Sequence, residues 1–456
     1  MFVGLCAACT PLPPAGEPLR LHPANSRYFE LLGKPLLLVG GGEHYGAVIN
    51  QDFDYVAYLD TLARDGLNLT RVFTGTHVEN GLRPWNVMAP APGRLLAPWA
   101  RSGMPGYVQG GDKFDLTRWD DAYFARLKDF IAQARKRGVV VELTLFSAHY
   151  EEWPHSPLNP ANNVNGMGPV NCEQVHHLAD SRITQVQEAL TVKLVTELNE
   201  FDNLYYELIN EPYMKCGATD AWQAHVARLI ARTEAALPRR HLVAQNIANG
   251  AARVERLPEG ISILNFHYAS PPDAVAANAP LRVPVAFDES GFRGPEDAVY
   301  RRQAWEFVMA GGAVFNNLDW SFTVASPTGH NREWDKGLGG GGPALRRALG
   351  ALGRFIHGFD FVRMAPDQDV IQGGLPPGAV AYALAEPGRQ YAIHVHSPQA
   401  LSLQLALPPG AYRVEWVDTG TGDVLASEGF RHGGGSRTLA SPAFSQDVAL
   451  AIRARE

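Results

Sequence analysis

The amino-acid sequence predicts an α/β chain: a (β/α)8 TIM barrel followed by a small all-β sandwich. Three observations lead there. Short apolar runs alternate with amphipathic stretches from about residue 36 to residue 357, the pattern of repeated βα units. The ends of those runs carry carboxylates, amides and aromatic residues, as the C-terminal face of a barrel does. After Phe359 the texture changes to short alternating runs separated by turn signals such as PPG, DTGTGD and HGGGS, as in a β-sandwich.

The first strand is LLLVGG (36–41), apolar throughout and suited to a strand covered on both faces. DYVAYLDTLARDG (54–66) follows as a helix stopped by Gly66. NLTRVFTG (68–75) is the second strand. Residues 76–118 form a Gly/Pro/Trp-rich connection, longer than loops usually are without a function. A helix at about 120–137 leads to VVVELTLF (139–146), and 147–180 is a second irregular loop. Apolar residues at Ile183, Val186, Leu190, Leu194 and Leu198 make 181–201 a helix. The remaining strands are NLYYELIN (203–210), HLVAQNI (241–247), ISILNFHY (261–268), VPVAFDES (283–290) and GAVFNNLDW (312–320). Helices are expected at about 220–237, 296–310 and 344–357. A doubly wound sheet is the rival. It is disfavoured because no GxGxxG joins the first strand to its helix, and Glu43 stands where a pyrophosphate would lie.

These readings divide the chain into a leader or truncated signal segment (1–20), a catalytic barrel (21–358) and a sandwich (359–456). The 456 residues suit one barrel of about 250 residues enlarged by loops, plus one small domain. MFVGLCAACT, followed by a Pro-rich stretch, reads as the end of a secretion signal without a basic start. The location expected is therefore extracellular or periplasmic, with the cytoplasm as the alternative.

Composition narrows the function. A formal net charge of -7 and the lack of a cation cluster beyond Arg135-Lys136-Arg137 disfavour nucleic acid. No apolar stretch is long enough to span a membrane. Cys6 and Cys9 have CxxC spacing without a second ligand pair, and whether Cys172 pairs with Cys216 stays open. His176 and His177 are adjacent and HExxH is absent, so no metal and no cofactor are expected. A GxSxG elbow is also missing, which disfavours a serine hydrolase. Oligomeric state is not legible.

The candidate site follows from the strand ends. They offer Glu43 and His44, then Arg71, His149, Asn210 and Glu211, His267 and Tyr268, Asp288 and Glu289, and finally Trp320. In a closed barrel Glu211 and Glu289 face each other across the mouth. Glycoside cleavage needs such a pair, one carboxyl to protonate the leaving oxygen and one carboxylate to attack the anomeric carbon. Asp288 competes with Glu289, but neighbours on a strand point to opposite faces. Only one of the two is expected to face the mouth, with Asp288 anchoring a loop or pairing with an arginine.

Leu208-Ile209-Asn210-Glu211-Pro212 resembles the fourth-strand Asn-Glu-Pro motif of clan A glycoside hydrolases, family 5 and its relatives. Asp288-Glu289-Ser290-Gly291 resembles their seventh-strand nucleophile segment. The resemblance covers roughly 30–357. It implies Glu211 as acid/base, Glu289 as nucleophile, Asn210 on the sugar 2-hydroxyl, Arg71 beside the nucleophile, and His149 as a sugar-binding residue. Trp320 would be the floor under the sugar, and Glu43, His44, His267 and Tyr268 further substrate contacts. His267 and Tyr268 are adjacent here, whereas family 5 commonly spaces them by one residue. YRVEWVDTGTGDVL (412–425) resembles a sandwich appended to cellulase-like proteins and labelled collagen-binding. The implied activity is retaining hydrolysis of a β-linked glycan or glycoside, the implied partner an oligosaccharide or glycoside. A non-catalytic carbohydrate-binding barrel and a transglycosidase are the alternatives.

Overall fold

A computed structural model describes residues 16–335 and 337–455. Eight parallel strands close on themselves: β1 (Leu38–Gly42), β2 (Leu69–Phe73), β3 (Val140–Ser147), β4 (Leu204–Asn210), β5 (Val243–Asn249), β6 (Ile263–His267), β7 (Val285–Ser290) and β8 (Val314–Leu318). β8 pairs with β1, so the sheet has no free edge. Every residue of β1 to β4 and of β6 to β8 is buried, as strands between a packed interior and an outer layer of helices must be. The glycines of β1 serve close packing: a Cβ on Gly42 would overlap the Tyr58 hydroxyl.

The helices are α1 (Tyr55–Arg64), α2 (Asp121–Lys136), α3 (Ser181–Leu198), α4 (Asp220–Ala235), the short α5 (Asp273–Asn278), α6 (Asp297–Met309) and α7 (Pro343–His357). Asp54, Asp120, Asp180 and Thr219 cap α1 to α4, each side chain accepting from amides of the first turn. The repeat is not uniform. The β5–β6 connection carries no helix, and α5 was not expected from the sequence. The β5–β6 segment is short and broken by Gly250, Pro258 and Gly260, so it has no room for one.

Three additions frame the barrel. Arg20–His22, Asn25–Leu31 and Lys34–Leu36 form a small antiparallel sheet. Its Tyr28 packs edge-on against Phe361 with ring centroids 5.0 Å apart. Of the expected leader, residues 1–15, including Cys6 and Cys9, lie outside the described residues. Leu19 is fully buried and its amide donates to the Asp202 carbonyl. The long connection after β2 contains a hairpin, Trp99–Pro105 with Asp112–Trp119, where the sequence suggested only an irregular loop. Trp99 stacks on Trp119 at its base.

Beyond α7 the chain becomes antiparallel. A six-stranded sheet faces a three-stranded one (Ile371–Gly373, Ser402–Leu407, Gly435–Ala440) across Ile393, Val395, Leu403, Leu405, Trp416 and Leu450. The larger sheet turns its other face to α6. There Trp305 stacks on His394, ring centroids 5.7 Å apart. Asp447 accepts from Arg301 and lies 3.1 Å from the His394 ring nitrogen. Burial works against the Asp447 charge, but His394 and Arg301 outweigh it and hold the carboxyl well below the usual carboxylate range. Asp447→Asn should therefore destabilise the protein by about 3 kcal/mol at neutral pH, because it strips the buried partners of their counter-charge. A carboxyl lowered on folding contributes stability above its unfolded value and loses it as pH falls. The gap in melting temperature between wild type and variant should hold above about pH 4 and shrink below it.

Candidate active site

The site is built on acids placed where a barrel interior tolerates them least. Glu142 on β3, Glu207 on β4 and Asp288 on β7 are fully buried. The Asn265 amide on β6 donates to all three, at 2.8, 3.2 and 3.1 Å. Tyr205 donates to Glu142 and Thr144 to Glu207, each at 2.7 Å. Arg71, entirely buried on β2, caps this layer. Its guanidinium lies 2.6 Å from Glu207, 3.2 Å from Asp288 and 3.1 Å from Glu289, and donates to the side-chain Oδ1 of Asn210 at 2.8 Å. One cation thus faces several acids. Burial first, then the charge of Glu207, pushes Glu142 up. Burial also pushes Asp288 well up, with Glu142 and Glu207 adding to it. Glu207 is buried too, but Arg71 outweighs that and holds it down. The surplus negative charge is therefore taken up as a proton on the Glu142–Asp288 side of the cluster.

Asp288 and Glu289 both reach Arg71, yet only Glu289 turns to the mouth, and Asp288 pairs with the arginine. A bulge explains it. Phe287 pairs with Phe266, but the next residue of β6, His267, pairs with Glu289, leaving Asp288 extra. Strand alternation is broken at that step. Asp288 drops into the acid layer beneath Arg71, and Glu289 turns to the mouth.

Glu211 follows β4 in a left-handed conformation, φ +49°, which costs a non-glycine residue on the order of 1 kcal/mol. His267 lies between the two glutamates, its Nδ1 3.5 Å from Glu211 and 3.7 Å from Glu289. One oxygen of each is therefore within about 7 Å of the other. The far side of the His267 ring meets the Asn246 amide. Burial disfavours the imidazolium, but the two glutamates outweigh it and raise His267. Burial likewise opposes the Glu211 charge, yet His267 and then the Tyr150 hydroxyl hold Glu211 below the usual carboxylate range. Tyr268 also has a positive φ, +52°, which turns its hydroxyl back onto Glu289 at 2.5 Å. The direct His267-Tyr268 sequence thus still brings both side chains to the pair.

The other expected residues divide. Asn210 joins Arg71 to the Tyr150 hydroxyl, its amide donating at 3.2 Å. His44 is buried beside Asn316, and burial, then Arg71 and His267, keep it well below the usual imidazole value. Glu43 turns into its own loop and accepts from the amides of Tyr45, Gly46 and Ala47. His149 sits in a layer of rings, stacked on His176 and edge-on to Trp153. Trp320 packs at the mouth against Phe292, centroids 5.4 Å apart. A Cβ on Gly291 would come within 3.0 Å of that indole, so the glycine ending the Glu-x-Gly segment makes room for the ring.

Sequence reading missed Tyr150 and the acid layer. Tyr150 lies in a loop without a periodic signal. Glu142 and Glu207 had one: an acid inside a continuously apolar strand has to be paired. Tyr45, Trp85, Trp320 and Phe292 ring the mouth, leaving Glu211 8% and Glu289 4% exposed. Cys172 and Cys216 are bonded, Cα atoms 5.3 Å apart, joining the loops after β3 and β4. A 460 Å³ cavity opens beside Pro212, Tyr213 and Asn246, and neither glutamate lines it.

No protein-family model and no curated protein matches the chain. Solved structures share its fold. A Bacteroides vulgatus protein described as a candidate glycoside hydrolase aligns with a TM-score of 0.71 at 14% identity, over 96% of this chain and 82% of its own. A structure described as a glycoside hydrolase gives 0.64 at 14%, over 96% and 97%. A Bacteroides vulgatus protein of glycoside hydrolase family 5 gives 0.63 at 15%, over 96% and 94%. At such identities the likeness is one of fold.

Arg71→Met should cost about 3–5 kcal/mol at pH 7.5, because it leaves buried carboxylates without their cation. Those carboxyls would then titrate above their unfolded values, so their penalty falls as pH falls. Urea unfolding should show part of the loss recovered at pH 5, and an unchanged loss would contradict the single-cation account. Replacing Cys172 and Cys216 by serine should cost about 3–4 kcal/mol in the loop-entropy account, measurable as a lower melting temperature.

Proposed function

We propose that this chain is a retaining glycoside hydrolase acting on a β-linked glycan or glycoside, with Glu289 as nucleophile and Glu211 as acid/base. The observation that carries the reading is the shared position of the two carboxylates on His267, with Arg71 and Tyr268 on the Glu289 side and Tyr150 on the Glu211 side. The solved structures of this fold that are described as glycoside hydrolases support it.

In the first step a Glu289 oxygen bonds the anomeric carbon while the glycosidic C–O bond breaks, and the leaving oxygen takes a proton from Glu211. Arg71 and Tyr268 hold and aim the attacking carboxylate. The proton delivered by Glu211 is one it shares with His267, and the downward direction found for Glu211 is that of the pair with the proton on the imidazole. In the second step Glu211, now a carboxylate, takes a proton from water as the water displaces Glu289. The ceiling of about 7 Å between one oxygen of each carboxylate admits the spacing of about 5–5.5 Å at which direct attack works. Asn210, His44 and Trp320 are proposed substrate contacts. Glu43 and His149 are read as support for the loops that carry the site. The Cys172–Cys216 bond supports an oxidising compartment, outside the cytoplasm. The C-terminal sandwich is read as a brace for α6, with no binding role assigned to its collagen-binding label.

Glu289→Ala should abolish hydrolysis of aryl β-glycosides, with azide restoring turnover as the α-glycosyl azide. Proton NMR of the wild-type reaction should show the β-anomer released first. Full activity in Glu289→Ala, or an α-product from the wild type, would overturn the assignment.

A further inference from the structure

We propose that Glu79 and Glu152, with His77 beside them, form the blind end of the substrate pocket and grip the hydroxyls of a terminal, uncharged sugar, so that cleavage proceeds from the non-reducing end. This inference rests on the glycosidase reading above and adds its substrate class and direction of attack.

The first support is a set of buried polar atoms without protein partners. One Glu79 oxygen accepts from the Met88 amide at 3.0 Å, and one Glu152 oxygen from the Asn86 side chain at 3.0 Å. The second oxygen of each, and Nδ1 of His77, have no partner. Glu79 and Glu152 are 2% exposed and His77 is 4% exposed. Such groups cost about 1–3 kcal/mol each when left unsatisfied, and they gather where a ligand completes them.

The second support is position. The Tyr45 ring lies 5.8 Å from His77, and its hydroxyl stands in the field of Glu289, Glu211 and Glu79 together. His77 is also 6.1 Å from the Tyr150 ring, whose hydroxyl donates to Glu211. The acids therefore lie about one ring beyond the glutamate pair. The Phe73 ring lies 4.7 Å from Tyr45 and 6.2 Å from His77 and carries the Arg71 guanidinium over its face at 5.0 Å. Arg71 holds Glu289, which puts this end on the nucleophile's side, where the glycone binds. The 99–119 hairpin closes the way beyond. Gln109 at its tip donates to the Glu79 carbonyl at 3.1 Å, and the Tyr107 hydroxyl to the His155 carbonyl at 2.8 Å.

The chemistry selects a neutral sugar. Burial, then the charges of Glu43 and Glu152, hold the Glu79 carboxyl well up. A carboxylic acid both donates and accepts, as a sugar hydroxyl does.

The test uses the full chain and a panel of 4-nitrophenyl β-glycosides, with matched sugars lacking the 4- or 6-hydroxyl. Glu79→Ala and Glu152→Ala should each lose roughly 10- to 100-fold in kcat/KM, the scale of a buried hydrogen-bonding group left without its partner. Wild type should lose a similar factor when one of these hydroxyls is removed, and the variants should then barely distinguish the two sugars. A purely structural role would leave that discrimination intact and would overturn the proposal. A second measurement needs no variant. Wild type should release monosaccharide from defined β-linked oligosaccharides and fail on the same chains blocked at the non-reducing residue. Internal cleavage, equal action on blocked chains, or a preference for an amino-sugar glycoside would overturn this inference while leaving the glycosidase reading standing. Absence of hydrolysis from every substrate would overturn that reading and this one with it.

Discussion

Everything at the mouth of this barrel depends on how one guanidinium is shared. Arg71 is buried among Glu207, Asp288 and Glu289 and also holds Asn210. A buried arginine keeps its charge under all ordinary conditions, so the acids around it have to arrange themselves to suit. Glu207 is held down beside it, Glu142 and Asp288 are pushed up, and Glu289 turns to the mouth with one oxygen on the guanidinium. Arg71 thus links the acid layer that fills the barrel centre to the pair of glutamates at its rim. The same ion that lets the interior contain carboxylates orients Glu289 at the mouth.

The backbone at the rim is shaped to the same end. Glu211, Tyr268 and Phe292 all take left-handed conformations, and the β7 bulge brings Asp288 and Glu289 in together. Each departs from regular geometry at a cost on the order of 1–3 kcal/mol. The surrounding layers hold them there. The Cys172–Cys216 bond fastens the loop behind Glu211 to the loop carrying Tyr150. The sandwich fastens α6, the helix that follows β7, through Asp447.

The periodic parts of this fold were legible in the sequence. All eight barrel strands begin and end within two residues of their expected bounds, because buried parallel strands write continuous apolar runs. Four strands of the C-terminal sheets, Ala365–Pro366, Ile371–Gly373, Val424–His432 and Gly435–Ala440, were not read from the sequence. Val424–His432 is an edge strand with few buried residues, so it writes no alternation. The glutamate pair could be read because strand ends converge on one face. Asp288 was expected to anchor a loop or pair with an arginine, and it pairs with Arg71; the bulge that brings it there is local geometry that a period-two rule does not show. Tyr150, Glu79 and Glu152 sit in loops whose paths are set by tertiary contacts, and nothing in their local sequence distinguishes them from other polar residues.

The account stands or falls on Glu289 forming a bond to sugar while Asp288, one residue away and equally close to Arg71, does not. Incubation with a 2-deoxy-2-fluoro aryl β-glycoside slows the second step more than the first, so the intermediate accumulates. Intact-mass analysis should show a single added glycosyl group, and peptide sequencing by mass spectrometry should place it on Glu289. A label on Asp288 or Glu211, or turnover without any covalent adduct, would contradict it.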